Sequence, residues 1–207
     1  MPTLTNFSAP KLLSAEQIDM NGLAAGSTVD LSRLRSVGEI LPLTGDFSRI
    51  KLNSLYNAST LAIYNGLCDT TPDWENTVGQ ELDIDLPSLE IAGRLGIGGN
   101  ITSISAPRLQ TMTSEGLYLN MLSDTPVALS FPRLHFAGTA IDIAGPVANL
   151  DFPMLRNMTS LMIFTPWQPI HFKLVAESLH VVELEGKFQR YSRHCQVHWF
   201  HSRLTRD

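Results

Sequence analysis

Hydrophobic and polar residues along this chain fall into one short phrase, hydrophobic-x-hydrophobic-Pro-x-Leu, used again and again. It occurs as Phe7-Ser-Ala9-Pro10-Lys-Leu12, Ile84-Asp-Leu86-Pro87-Ser-Leu89, Ile104-Ser-Ala106-Pro107-Arg-Leu109, Leu129-Ser-Phe131-Pro132-Arg-Leu134 and Leu150-Asp-Phe152-Pro153-Met-Leu155. Two copies keep the frame without proline, Val29-Asp-Leu31-Ser32-Arg-Leu34 and Ile50-Lys-Leu52-Asn53-Ser-Leu55, and a weaker eighth reads Ile170-His-Phe172-Lys173-Leu-Val175. The fourth positions fall at 10, 32, 53, 87, 107, 132, 153 and 173, in steps of 22, 21, 34, 20, 25, 21 and 20. Six to eight residues after each phrase comes a second alternating pair: Ile18-x-Met20, Leu41-x-Leu43, Leu61-x-Ile63, Leu95-x-Ile97, Leu117-x-Leu119, Ile141-x-Ile143, Leu161-x-Ile163 and Val182-x-Leu184.

Both elements have the two-residue period of strands. A unit of about 21 residues cannot bury its own aliphatic face, whereas stacked units place like residues above like and close a continuous core. The expected fold is therefore all-β: a right-handed parallel β-helix, or solenoid, of about eight coils. Proline at one fixed place marks a corner outside the hydrogen-bond ladder, where its fixed φ helps the chain turn. Gly96-x-Gly98-Gly99-Asn100 is read as the turn after Leu95-x-Ile97, since it lacks the Lys-Ser/Thr and the following helix of a phosphate loop.

Departures from the period predict loops. The 34-residue step holds roughly 13 extra residues, about 66 to 80. They carry Asp73, Trp74 and Glu75, the candidate binding loop, and deleting about residues 68–79 should leave the fold intact. The 25-residue step adds a few residues around Asn120 to Thr125.

Leu82 to Glu90, Ile101 to Leu109 and Leu150 to Leu155 resemble the repeat units of the fungal GPI-anchored cell-wall organisation proteins. That family is similar in turn to the receptor L-domain, a leucine-rich β-helix. The resemblance covers about residues 4–184 and implies a non-enzymatic, secreted, glycosylated surface protein with a role in wall structure or recognition. It also implies wall polysaccharide or surface proteins as partners. Family members carry an amino-terminal signal and a serine-rich stalk ending in a lipid-anchor signal. The sequence from Met1 shows neither, so the expectation is a piece of a longer surface protein, with cytoplasmic retention left open. Asn-x-Ser/Thr sequons at Asn6, Asn57, Asn100 and Asn157 agree with secretion, with Asn6 and Asn157 the least favourable acceptors because they lie close to predicted strands.

Composition adds little chemistry. The 29 leucines are accounted for by the stacked columns. No apolar run is long enough to span a bilayer. The formal charge of −5 divides unevenly: residues 187–207 carry five basic groups and one acid, 5 − 1 = +4, leaving 10 − 19 = −9 for residues 1–186. The acidic body argues against a nucleic-acid partner. The organisation expected is an L-domain-like solenoid over residues 1–186 and a basic, His-containing tail over residues 187–207, outside the solenoid.

No catalytic, cofactor or metal-binding residue is assigned. Asp83 and Asp85 share one face, as paired acid/base carboxylates must, but alternate with Leu82, Ile84 and Leu86 like the solvent side of an ordinary strand. Asp142 and Asp151 fit the same pattern. Cys68 and Cys195 are too few for a disulfide framework. His194, Cys195, His198 and His201 in the tail lack the second knuckle of a zinc module. The expectation is thus a structural or recognition protein. The alternatives are a β-helix enzyme acting on wall polysaccharide, marked by carboxylates converging in a groove, and an intracellular leucine-rich adaptor that binds a protein along a sheet face.

Overall fold

The structure, a computed structural model, describes residues 4–66, 79–165, 171–174, 178–186 and 201–204. Among these the chain contains strands and turns and no helix. In chain order the strands are β1 (Asn6–Ser8), β2 (Ser14–Ala15), β3 (Met20–Asp30), β4 (Ser36–Lys51), β5 (Asn57–Asn65), β6 (Leu82–Asp85), β7 (Ile91–Gly99), β8 (Ile101–Ser105) and β9 (Thr111–Met121). There follow β10 (Val127–Ser130), β11 (Phe136–Ala137), β12 (Ala140–Ala144), β13 (Val147–Phe152), β14 (Asn157–Thr165), β15 (His171–Leu174), β16 (Ser178–Gly186) and β17 (His201–Leu204).

They wind into a parallel β-solenoid of about seven turns with a period near 22 residues. One wall is a 12-stranded sheet running β1-β3-β4-β5-β7-β9-β11-β14-β16-β17, with β12 between β9 and β14 and β2 beside β4. The second is a 5-stranded sheet in the order β15-β13-β10-β8-β6. Among the described residues every pairing is parallel except β16 with β17. β17 comes from the segment expected outside the solenoid, and it adds to the end of the long sheet by pairing Val182 with Leu204.

Register follows the repeat. In the long sheet Leu41, Leu61, Leu95, Leu117, Ile141, Leu161 and Val182 form one column, and Leu43, Ile63, Ile97, Leu119, Ile143, Ile163 and Leu184 the next. In the second sheet Ile84, Ile104, Leu129, Leu150 and Phe172 align. The eighth phrase is therefore offset by two residues from the sequence reading: Phe172, not Ile170, continues the first position. Without a proline in that unit, nothing in the sequence pins the frame.

The inward columns from Met20 to Ile163 make one hydrophobic cluster, with Leu41, Leu61, Leu95, Leu117, Ile141 and Leu161 fully buried. Phe131 and Phe152 stack within it, ring centres 5.5 Å apart. Seven corners are built alike. The N–H groups of Leu12, Leu34, Leu55, Leu89, Leu109, Leu134 and Leu155 each donate to the carbonyl three residues back, at 3.0–3.4 Å. Proline, serine or asparagine occupies the second position of these turns, where a fixed φ suits and no ladder bond is required of proline.

The two alternating elements of each unit predict two strands per coil. Instead β3 (11 residues) and β4 (16 residues) run from one wall into the other, with register shifts absorbing the bend. Later coils break there, as at Asn100 between β7 and β8, where Gly99 has φ +104° and a Cβ would lie 1.7 Å from the Asn65 carbonyl oxygen.

Candidate functional site

Alternation puts Leu61, Ile63 and Asn65 on the same inward face of β5, so the last of these is a polar group pointed into the core. Asn65 is fully buried. Its Oδ1 accepts from the Phe47 N–H at 2.7 Å, and its Nδ2 donates to the carbonyls of Gln80 at 2.5 Å and Asn100 at 3.4 Å. Its own carbonyl accepts from the Asn100 N–H at 3.3 Å. The second wall is discontinuous at this place, since β6 begins that sheet and does not pair with the end of β4. The amide of Asn65 thus serves backbone groups that a continuous ladder would have served.

The same residues close the base of the long insertion. Gly66 N–H donates to the Gly45 carbonyl at 2.8 Å as the chain leaves the wall. On its return, Gln80 N–H donates to the Asp46 carboxylate at 2.8 Å and the Gly79 carbonyl accepts from Asn100 Nδ2 at 2.8 Å. A Cβ on Gly79 would stand 2.6 Å from Gly66 Cα, so the two ends of the insertion touch. Asp73, Trp74 and Glu75, and with them Cys68, lie outside the described residues. The same holds for His194, Cys195 and His198, while His201 opens β17.

The four sequons occupy different settings. Asn6, in β1, is exposed, and its Oδ1 accepts from the Thr28 hydroxyl at 2.5 Å. Asn57 and Asn157, both exposed, open β5 and β14 in one column of the ladder, which runs Ser36, Asn57, Ile91, Thr111, Phe136, Asn157. Asn100 is half-buried and holds the insertion closed through Gly79.

The candidate carboxylates do not meet in a groove among the described residues. Asp83 accepts from the hydroxyls of Thr102 at 2.6 Å and Ser103 at 2.8 Å in the next coil, which lowers its pKa. Asp30 is held at about 2 by Lys51, whose Nζ lies 2.6 Å away, and by hydrogen bonding to Ser32. Asp142 sits on the outer side of β12, and burial raises its pKa. Asp85 and Asp151 lie on the outer side of the second wall, exposed and half-buried.

Two features escaped the repeat reading. Arg94 stands over the Tyr118 ring with its guanidinium carbon 4.8 Å from the centroid, and pairs with Glu115 at 3.0 Å. Beside it, a shallow cleft of about 270 Å³ is lined by Thr113, Ser114, Phe136, Thr139, Asn157 and Thr159, among others. Both arise because β9 carries two extra residues against β7: the register goes from Ala92↔Met112, a step of 20, to Arg94↔Gly116, a step of 22. The signal was present in the sequence, because Pro87 to Pro107 is 20 residues while Leu95 to Leu117 is 22.

Compared with known proteins, the chain matches no family model, no curated protein and no solved structure.

Proposed function

We propose that this chain is a non-enzymatic recognition scaffold of a cell surface or cell wall. Its solenoid serves as a stiff post, and the 67–78 insertion with Asp73, Trp74 and Glu75 is its contact element. The observation that carries the reading is the base of that insertion. A fully buried asparagine, two touching glycines and the Asn100 side chain fix the two ends of the insertion on a continuously stacked core. Ends anchored in this way give an insertion a fixed point of departure from the frame, which is how scaffolds present binding loops. The surface setting rests on the family resemblance and on the sequons, of which Asn6, Asn57 and Asn157 are exposed.

Secretion of the chain from a eukaryotic host, followed by glycosidase treatment, tests the setting. A mobility shift lost in Asn6→Gln/Asn57→Gln/Asn157→Gln is expected, and an unshifted protein overturns the surface reading. Incubation with wall polysaccharides tests the class. Retention of glycan without release of reducing ends is expected, and release of reducing ends would make the chain an enzyme.

A further inference from the structure

Each of the seven corner turns places its third and fifth residues on one outer edge of the solenoid. The fifth residues are stacked by backbone bonds through every coil. Arg35 N–H donates to Leu13, Tyr56 to Arg35, Glu90 to Tyr56, Gln110 to Glu90, His135 to Gln110 and Arg156 to His135, at 2.8–2.9 Å. This edge ladder continues across the place where the second wall is broken. Charge is sorted onto it. Six of the ten basic residues in positions 1–186 stand there: Lys11, Arg33 and Arg35 at the first two corners, and Arg108, Arg133 and Arg156 at the last three. Of the nineteen acids in the same span, only Glu90 does. All six cations are exposed, and none forms an ion pair among the described residues, where Lys51–Asp30 and Arg94–Glu115 are the salt bridges.

We propose that this edge is a binding ridge for a linear acidic polysaccharide lying along the solenoid axis. Stacked coils repeat every ~4.8 Å, so the ridge offers two groups of cations in line, separated by the uncharged or acidic corners of Ser54, Tyr56, Ser88 and Glu90. Asp30, Asp85 and Asp151 immediately precede the turns on one side, and Glu16 and Glu39 follow on the other. The cationic strip is therefore narrow and bordered by carboxylates, which repel a flat anionic membrane or a wide duplex and admit a single slim chain. An extended acidic peptide returns a side chain to the same side only every second residue, about 6.6 Å, out of step with the coils. A uronate chain carries one carboxylate on every ring, close to the chain axis, so its charge along the strip is nearly continuous whichever way each ring faces. This deepens the surface-recognition reading by naming a ligand class, and it rests on that reading for its setting.

Sedimentation with polygalacturonate, its methyl ester, a neutral β-glucan, duplex DNA and phosphatidylserine vesicles tests it on the full chain. Polygalacturonate is expected to bind and the methyl ester not, with affinity falling as salt rises. Arg108→Gln/Arg133→Gln/Arg156→Gln should weaken binding about tenfold or more, while Arg49→Gln, outside the ridge, leaves it unchanged. Should the triple variant fail to fold, Lys11→Gln/Arg33→Gln/Arg35→Gln provides the same reading from the other group. Equal binding of the methyl ester, or stronger binding of duplex DNA or vesicles, overturns the proposal. Binding that survives both ridge variants and disappears when the tail's Arg190, Arg193, Arg203 and Arg206 are replaced overturns it too. Retention of neutral glucan alone would reject the ridge and leave surface recognition standing; loss of the glycosidase shift with polygalacturonate binding intact would do the reverse.

Discussion

The solenoid wall is built in two ways. From β7 to β14 it is regular in its corners and in its separate walls: Pro87, Pro107, Pro132 and Pro153 turn the chain, no strand runs on from one wall into the other, and Phe131 and Phe152 stack in the core. From β3 to β6 it is irregular: Ser32 and Asn53 replace proline, β3 and β4 bend through from wall to wall, and the second wall is interrupted above β6. Both halves share the same inward columns. The difference teaches that hydrophobic stacking tolerates a broken ladder, provided that the stranded backbone groups find partners. Asn65 supplies them.

Asn65→Ala should therefore produce the largest effect. It removes three side-chain bonds and strands the buried Phe47 N–H together with the Gln80 carbonyl. At about 1–3 kcal/mol for each buried group left unpaired, a loss of about 3 kcal/mol is expected, read as a lower midpoint in urea unfolding. A loss below about 0.5 kcal/mol, the range of an ordinary surface substitution, would mean that the irregular half does not depend on this amide.

The corners allow a finer comparison. Asn53 N–H has no backbone or side-chain acceptor among the described residues, and its carbonyl, which accepts from Ser88, survives replacement of the side chain. Asn53→Pro should stabilise by about 0.4–1 kcal/mol, by narrowing the unfolded ensemble. Ser32 N–H, in contrast, donates to Asp30 at 3.1 Å. Ser32→Pro removes that bond and should gain nothing or lose. A gain at both corners in thermal melts would show that the Asp30 contact is idle.

These elements differ in how far the sequence discloses them. The inward columns and the corners follow from a two-residue alternation and a recurring proline, because each is enforced by the same packing in every coil. The latch is harder to read. Gly45, Asn65 and Gly99 form one column, and a polar amide at an inward position between two glycines marks a place where backbones crowd, but only once the coils are aligned. The two extra residues in β9 show in the unequal 20- and 22-residue spacings, whereas the offset at Phe172 is a register fact, set by which strand pairs with which. The cationic edge was equally hidden: net charge sums it away, and only the corner positions of successive coils bring its six residues into line.

Two carboxylates set the halves apart in pH dependence. Asp30, in the irregular half, is lowered to about 2 by Lys51 and Ser32, so its stabilisation is present above 3.8 and is lost as pH falls toward 2. Asp142, in the regular half, is raised by burial. The folded state then holds the Asp142 proton more tightly than the unfolded one, and stability declines as pH rises from 3.8 through the raised value. Asp142→Asn should be the more stable protein at neutral pH, with an advantage that disappears in acid below 3.8. Parallel urea-midpoint curves for the two proteins across pH would show that Asp142 pays no desolvation cost.

The smallest effect is expected from the largest excision. Removing residues 67–78 and joining Gly66 to Gly79 leaves the whole latch in place, because Asn65, Gly79, Gln80 and Asn100 all remain. The earlier expectation of a cut at 68–79 needs this one change, since Gly79 supplies the carbonyl that Asn100 holds. The two ends are already about one peptide unit apart: a Cβ on Gly79 lies 2.6 Å from Gly66 Cα and 2.8 Å from Gly66 N, and trans-linked Cα atoms are about 3.8 Å apart. Loop length itself costs only about 0.6 kcal/mol per doubling, so the urea midpoint should move little and the far-ultraviolet β signal should persist. Against this, cutting at 66–80 deletes Gly79 with the loop and should cost part of what Asn65→Ala costs, by orphaning Asn100. If the 67–78 deletion unfolds the wall while Asn65→Ala is mild, the insertion supports the irregular half and the latch is its consequence.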